Sequence, residues 1–167
     1  MVARLGGGYG CAVSHITVVV DVDAPRELVW EVVADPRNLP KWDRHVASVS
    51  DVPDEGLKVG TVYATEIVVL LVRSRVDAFV KDLRPPEYAE IVLTGAPLRA
   101  IVRTTLTALS QDRTRLEQDV EYHVRGGSLG EVLGRALRRL GAQAILRRGV
   151  EGQKRQAEEL ARKVGGW

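Results

Sequence analysis

Residues 23–42 read DAPRELVWEVVADPRNLPKW, and this stretch decides the architecture. Asp23 is the expected N-cap, and Pro25 falls near the first helical turn, where its missing N–H costs nothing. Leu28, Val29, Val32 and Val33 recur at helical spacing and form one apolar stripe. Asp35-Pro36 ends that helix, because the residue before proline avoids the α region. A second short helix is expected over 36–39, stopping at Pro40, with Trp42 just beyond.

Strand patterns flank these helices. Upstream, 14–22 (SHITVVVDV) is β-branched and alternates, with Ile16, Val18, Val20 and Val22 on one face. Downstream, the period changes from 3.6 to 2. Strands are expected at about 46–52, 60–70, 73–83, 87–94, 99–109 and 113–124. Turn signals separate them at Pro53-Asp54-Glu55-Gly56, Arg84-Pro85-Pro86, Gly95-Ala96-Pro97 and Gln111-Asp112, while the junction near Leu71 has neither glycine nor proline. Short connections between successive strands imply an antiparallel meander.

Gly126-Gly127 closes the strand region, and about 128–163 reads as helix, with Leu129, Leu133, Ala136, Leu137 and Leu140 in one stripe. At about 1.5 Å per residue it would be about 50 Å long, enough to cross a sheet. Gly141 and Gly149 weaken its middle and suggest a bend. The fold class is α+β: a curved antiparallel sheet of about seven strands wrapped around a long C-terminal helix, with two short helices after the first strand.

The 167 residues suit one domain over 14–167, preceded by a flexible N-terminal arm over 1–13. That arm holds Gly6-Gly7-Gly8-Tyr9-Gly10, which leads into a strand rather than a helix and so does not read as a phosphate loop. Net charge is +2, so nothing in the total demands nucleic acid. The single cysteine, Cys11, excludes an internal disulfide and a multi-thiolate zinc site. No apolar run of 18 residues or signal-peptide pattern is visible, which places the protein in the cytoplasm as an expectation.

The sequence resembles the START-like, or SRPBCC, superfamily with its Bet v 1-like helix-grip fold. The resemblance rests on Val22-Asp23-Ala24-Pro25 with Val29-Trp30, on Ala34-Asp35-Pro36, and on Leu39-Pro40-Lys41-Trp42. It continues through Val59-Gly60-Thr61, Pro85-Pro86, Thr114-Arg115-Leu116 and Gly126-Gly127 with the basic-apolar helix after it. The flavour is that of the bacterial polyketide cyclase/dehydrase group. What the resemblance implies is a cavity between the long helix and the concave sheet face, used for apolar ligands. Fold does not choose among carriers, hormone binders and cyclases.

Alternation predicts what faces that cavity. Glu66, Arg75, Asp77, Lys81, Glu90, Arg103, Glu117, Asp119 and Glu121 mark the outside. The inward set includes Thr61, Tyr63, Thr65, Ile67, Val69, Val76, Ala78, Val80, Ala89, Ile91, Leu93, Val102, Thr104, Leu106, Leu116, Gln118, Val120 and Tyr122. The expected ligand contacts are Tyr63, Thr65, Ile67, Val76, Ala78, Ile91, Thr104, Gln118, Val120 and Tyr122, with Leu133 and Leu137 from the helix. An apolar set with a few neutral hydrogen-bonding groups has the make-up of a small-molecule pocket, and equally of a filled core.

Candidates for chemistry are few. His15, His45 and His123 lie on different elements without ligand spacing, so no metal and no cofactor is expected. Tyr63 and Tyr122 can orient a carbonyl or donate a proton, a role the resemblance to cyclases implies. Asp43 and His45 follow Trp42 near the expected cavity mouth and offer an Asp–His pair for proton transfer. Arg73 and Arg99, at strand ends, can reach a polar ligand end, and Trp30 and Trp42 are expected to anchor the short helices. Between Glu131 and Lys163 nine Lys/Arg stand against four Glu, with pairs at Arg138-Arg139 and Arg147-Arg148. That face suits an acidic carrier protein or membrane surface, or simply water.

Three readings stay open. The first is a module binding a small hydrophobic molecule, lipid-like or polyketide-like, in bacterial secondary metabolism or lipid handling. The second is a polyketide cyclase, aromatase or dehydratase acting in the same cavity. The third is an interaction protein docking through the basic helix. A monomer or dimer fits all three.

Overall fold

The computed structural model of the protein describes residues 13–69 and 71–165. The expected arm, Cys11 included, lies outside the described residues apart from Val13, as do Leu70 and the side chains of Val69 and Leu129. Seven strands form one sheet: β1 (Ser14–Val22), β2 (Val46–Ser50), β3 (Val62–Val69), β4 (Val72–Arg84), β5 (Tyr88–Gly95), β6 (Leu98–Ser110) and β7 (Arg113–Val124). Their order is β1-β7-β6-β5-β4-β3-β2, and every neighbouring pair is antiparallel. The meander is therefore complete from β2 to β7, and β1 joins it at the far side. Register carries the inward residues across the sheet in rungs. Val18 faces Gln118, which faces Thr104, which faces Ala89.

The first helix, α1, is Arg26–Val33, and it buries Val29 and Val32 as the apolar stripe requires. Pro25, not Asp23, occupies its N-cap position, and no side chain caps it. The Asp23 carboxylate instead lies 3.7 Å from Arg113 Nε. A 3-10 turn at Pro36–Asn38 follows, capped by Asp35 Oδ1, which accepts from the Arg37 N–H at 3.0 Å. Helix α2 is Leu39–Trp42, so Pro40 does not stop the second helix. Proline sits in its first turn, where no intrahelical N–H is needed.

The expected long helix is two helices, α3 (Ser128–Leu140) and α4 (Ala142–Gly165). Gly141 breaks it with φ at +75°, a left-handed value that suits glycine, and its N–H donates to the Leu137 carbonyl at 2.9 Å. Gly149, in contrast, lies within continuous helix. No helix among the described residues is long and apolar enough to cross a membrane.

The packed core divides in two. One cluster joins β1, α1, β6, β7 and α4 through Val18, Val22, Val29, Leu106, Leu116 and Val150. The Thr114 hydroxyl donates to the Ala24 carbonyl at 2.8 Å and ties the β1–α1 turn to β7. The other cluster is small: Tyr63, Ala78 and Val80, with Leu39, Leu57, Ile91 and Leu93 packed around them. The concave face between α-helices and sheet is left with open space.

Candidate functional site

Space on the concave face forms three adjoining compartments. The largest, about 290 Å³, lies under α3 and α4 and is walled by Ile16, Ala100, Val102, Val120, Tyr122, Leu133, Leu137 and Gly149, among others. The second, about 200 Å³, lies under α1 and α2 and is walled by Trp30, Val33, Tyr63, Thr65, Ala89, Ile91 and Thr104, among others. Leu39, Asp43, Ile67, Leu93, Val102 and Gln118 line both. A third, about 50 Å³, lies between Val72, Ser74, Val76 and Pro97 and shares Ile67, Leu98 and Leu133 with the first. The larger compartment alone, at about 290 Å³, is close to the lower end of the range of small-molecule sites.

Valine, alanine and threonine are the reason space remains. Short side chains on β4 to β7 do not span a roughly 10 Å gap between a sheet and its covering layer. Burial of an apolar ligand there would contribute about 25 cal/mol per Å² of apolar surface removed from water.

One polar group stands at the junction of the two main compartments. The Gln118 Nε2 donates to Gln153 Oε1 at 3.2 Å and to Thr104 Oγ1 at 3.3 Å. All three residues are buried. Thr65 donates to the Val76 carbonyl at 3.1 Å, which spends its hydroxyl proton on the sheet. The Tyr63 hydroxyl has no protein partner among the described residues, and burial pushes the phenol above the ordinary tyrosine range. Tyr63 is thus a neutral group able to donate a hydrogen bond to whatever enters.

Of the expected contacts, Tyr63, Thr65, Ile67, Val76, Ile91, Thr104, Gln118, Val120, Tyr122, Leu133 and Leu137 all line one compartment or another. Ala78 lines none of them; it is fully buried between Tyr63 and Val80. The two tyrosines do not meet. Register puts Tyr122, Ala100, Leu93, Ala78 and Tyr63 on one rung, so four strand spacings, about 19 Å, lie between them.

Asp43 lines both main compartments, and His45 lines a neighbouring surface groove. They do not form a side-chain pair. Asp43 Oδ1 accepts from the His45 backbone N–H at 2.8 Å, and the His45 ring Nδ1 lies 3.4 Å from the Val68 carbonyl. Arg73 is also not at the cavity: its Nη1 donates to Glu66 Oε1 at 2.5 Å on the outer face. Arg99 is exposed on the same face as Arg103. Trp42 is an anchor, donating from Nε1 to Gln156 Oε1 at 2.5 Å, and it also walls the larger compartment.

The expectation of scattered histidines missed one cluster. His15, Asp119 and Glu121 converge on the convex face. Arg103 already holds both carboxylates, with Nη1 3.1 Å from Asp119 Oδ2 and 2.9 Å from Glu121 Oε1. Sequence reading also missed Gln153, Gly149 and Ile145 on the cavity wall. A signal existed: Leu146, Val150, Gln153 and Ala157 fall on one helical face, and a glutamine in an apolar stripe marks a buried polar contact.

A family model described as polyketide cyclase / dehydrase and lipid transport matches residues 14–164. The chain belongs to this family. No curated protein matches its sequence. Among solved structures, the Zhui aromatase/cyclase of Streptomyces sp. R1128 superposes with a TM-score of 0.74 at 20% identity, covering 93% of this chain and 100% of that one. A START superfamily protein of Mycobacterium smegmatis gives 0.63 at 14%, covering 90% and 98%. A norcoclaurine synthase point mutant of Thalictrum, in complex with a transition state analogue, also gives 0.63 at 14%, covering 89% and 96%. These likenesses show a shared fold, and the family's helix-grip architecture is the one described above.

Proposed function

We propose that this member of the polyketide cyclase/dehydrase and lipid transport family binds a small hydrophobic molecule, lipid-like or polyketide-like, between its sheet and helices α3 and α4. The observation that carries this reading is the pair of adjoining apolar compartments, with Gln118 on their shared wall and an unpartnered Tyr63 hydroxyl lining the second. Apolar walls supply affinity, and the few polar groups fix orientation. Tyr63, Thr104 and Gln118 serve the second compartment, and Val120, Tyr122, Leu133 and Leu137 the first.

A second reading, a cyclase, aromatase or dehydratase, draws on one observation: Asp43 and Tyr63 line the same compartment. Shaping a flexible chain into a reactive fold would supply most of the rate. Tyr63→Phe separates the two. An enzyme loses turnover and keeps binding, whereas a carrier, which turns nothing over, keeps its affinity almost unchanged.

The test of the binding reading is native mass spectrometry of freshly purified protein, followed by organic extraction and titration with 1-decanol. A discrete adduct or stoichiometric uptake is the expected result. Val102→Trp, which fills the shared wall, should abolish it. An apo mass with no uptake of 1-decanol, or of any of a panel of lipids and aromatic polyketides, would overturn the proposal.

A further inference from the structure

Beside the larger compartment lies a groove of about 690 Å³ between the α2–β2 turn and the N-terminal half of α4. Its walls carry four arginines: Arg44 from the turn, and Arg147, Arg148 and Arg155 from α4. Trp42, Asp43 and Ile145 line both this groove and the apolar compartment. A strongly basic surface therefore opens directly beside the apolar space.

The four guanidiniums have no ion-pair partner among the described residues. That sets them apart from the arginines of the sheet. Arg103 is held by Asp119 and Glu121, and Arg115 by Asp21, 2.9 Å away. Two carboxylates also line the groove, Asp43 and Glu151. Asp43 already accepts the His45 backbone N–H. Glu151 stands one helical turn from both Arg147 and Arg155, yet it forms no ion pair with either. Four arginines against two carboxylates, with no ion pair between them, leave the groove a net positive charge that an anion would offset. The planar fork of arginine suits a carboxylate or a phosphate.

We propose that this groove holds the anionic head, a carboxylate or phosphate monoester, of an amphiphile whose apolar body lies in the adjoining compartment. The proposal rests on the cavity-binding reading above and adds the ligand's charge. It also separates the arginine pairs noted in the sequence. Arg147 and Arg148 lie on α4 in the groove wall, whereas Arg138 and Arg139 lie on α3 beyond the break at Gly141.

The experiment is calorimetric titration with decanoate, decyl phosphate and 1-decanol, which share one chain and differ in the head. At low salt, either anion is expected to bind at least tenfold more tightly than 1-decanol, and the gap should narrow as ionic strength rises. An Arg44→Gln/Arg147→Gln/Arg148→Gln variant should lose the gap while its 1-decanol affinity stays unchanged, which also shows that it is folded. Equal affinities for all three on the wild type, or a gap insensitive to salt, would overturn the head site and leave the cavity reading standing. No binding of any of the three would overturn both. Inorganic phosphate binding as tightly as decyl phosphate would remove the link to the cavity. Arginine-dependent sedimentation with phosphatidylglycerol vesicles, without uptake of the monomeric amphiphiles, would assign the groove to a bilayer surface and overturn the proposal.

Discussion

Gly152 on α4 sits directly on Trp42 of α2: a Cβ at Gly152 would lie 2.9 Å from Trp42 Cβ and 3.1 Å from its Cα. The close approach lets Trp42 Nε1 reach Gln156. Gln156 Nε2 in turn donates to Asn38 Oδ1 at 3.1 Å, and Asn38 Nδ2 donates to the Val32 carbonyl at 3.0 Å. One glycine thus seats α4 against the two short helices that wall the cavity. Gly152→Ala should destabilise the protein, because overpacking costs about 1–3 kcal/mol while the helix-propensity gain is about 1 kcal/mol at most. A fall in Tm of about 2–4 °C is expected by calorimetry.

Gly149, one turn earlier, has nothing within 4 Å of its absent Cβ and lines the larger compartment. Gly149→Ala should therefore raise stability by up to about 1 kcal/mol through propensity alone. Gly149→Trp should instead fill the compartment, lowering affinity for 1-decanol with little loss of Tm. The pair of measurements distinguishes a packed position from an open one.

Gln118 and Gln153 share a buried hydrogen bond, and Gln118 Nε2 also reaches Thr104 Oγ1. Gln118→Leu strands the buried Gln153 amide, at a cost of about 1–3 kcal/mol, while Gln153→Leu removes one of the two hydrogen bonds of Gln118. The double variant should cost clearly less than the two singles together, measured by urea denaturation. Additive effects would show that the two amides are not coupled.

Alkaline titration reports on Tyr63. Its folded pKa is raised above the unfolded value by burial. The corresponding stability is fully present below the unfolded pKa, about 10, and is lost as pH rises from there toward the folded value. Burial and the Glu90 carboxylate also raise Tyr88, so absorbance at 295 nm should show fewer tyrosinates in the folded wild type than in the unfolded protein at the same pH. Tyr63→Phe should shrink that difference by the Tyr63 share and leave the Tyr88 share in place.

Acid titration reports on Glu90. Lys81 Nζ donates to its Oε1 at 2.7 Å, and this hydrogen bond holds the carboxyl below its ordinary range. Tyr88 Oη donates to its other oxygen at 2.9 Å. A depressed pKa contributes stability above the unfolded carboxylate value and loses it as pH falls through the folded one. Glu90→Gln should cost on the order of 1 kcal/mol at neutral pH. The gap to wild type should close under acid conditions, followed by urea midpoints across pH.

Strand faces were legible because alternation is local. Each residue from Tyr63 to Ile67, or from Leu116 to Tyr122, faces in or out according to its immediate neighbours on a pleated strand. The break at Gly141 had a visible cause in the lack of a Cβ, though glycine alone did not say that Gly149 would stay helical. Misreadings at Asp23 and Pro40 are also local, since proline and aspartate suit more than one position at a helix start.

Sequence by itself therefore determined the family, the antiparallel meander, the inward faces and the small side chains that leave space behind them. Tertiary structure alone decided what meets what. It paired Gln118 of β7 with Gln153 of α4, parted Tyr63 from Tyr122 along one rung, turned Asp43 toward the His45 N–H, and set four arginines beside the apolar compartment. The physical reason is range. Backbone periodicity orients a side chain relative to its own strand or helix, whereas the distance between elements depends on how far the sheet curves and where the covering helix breaks.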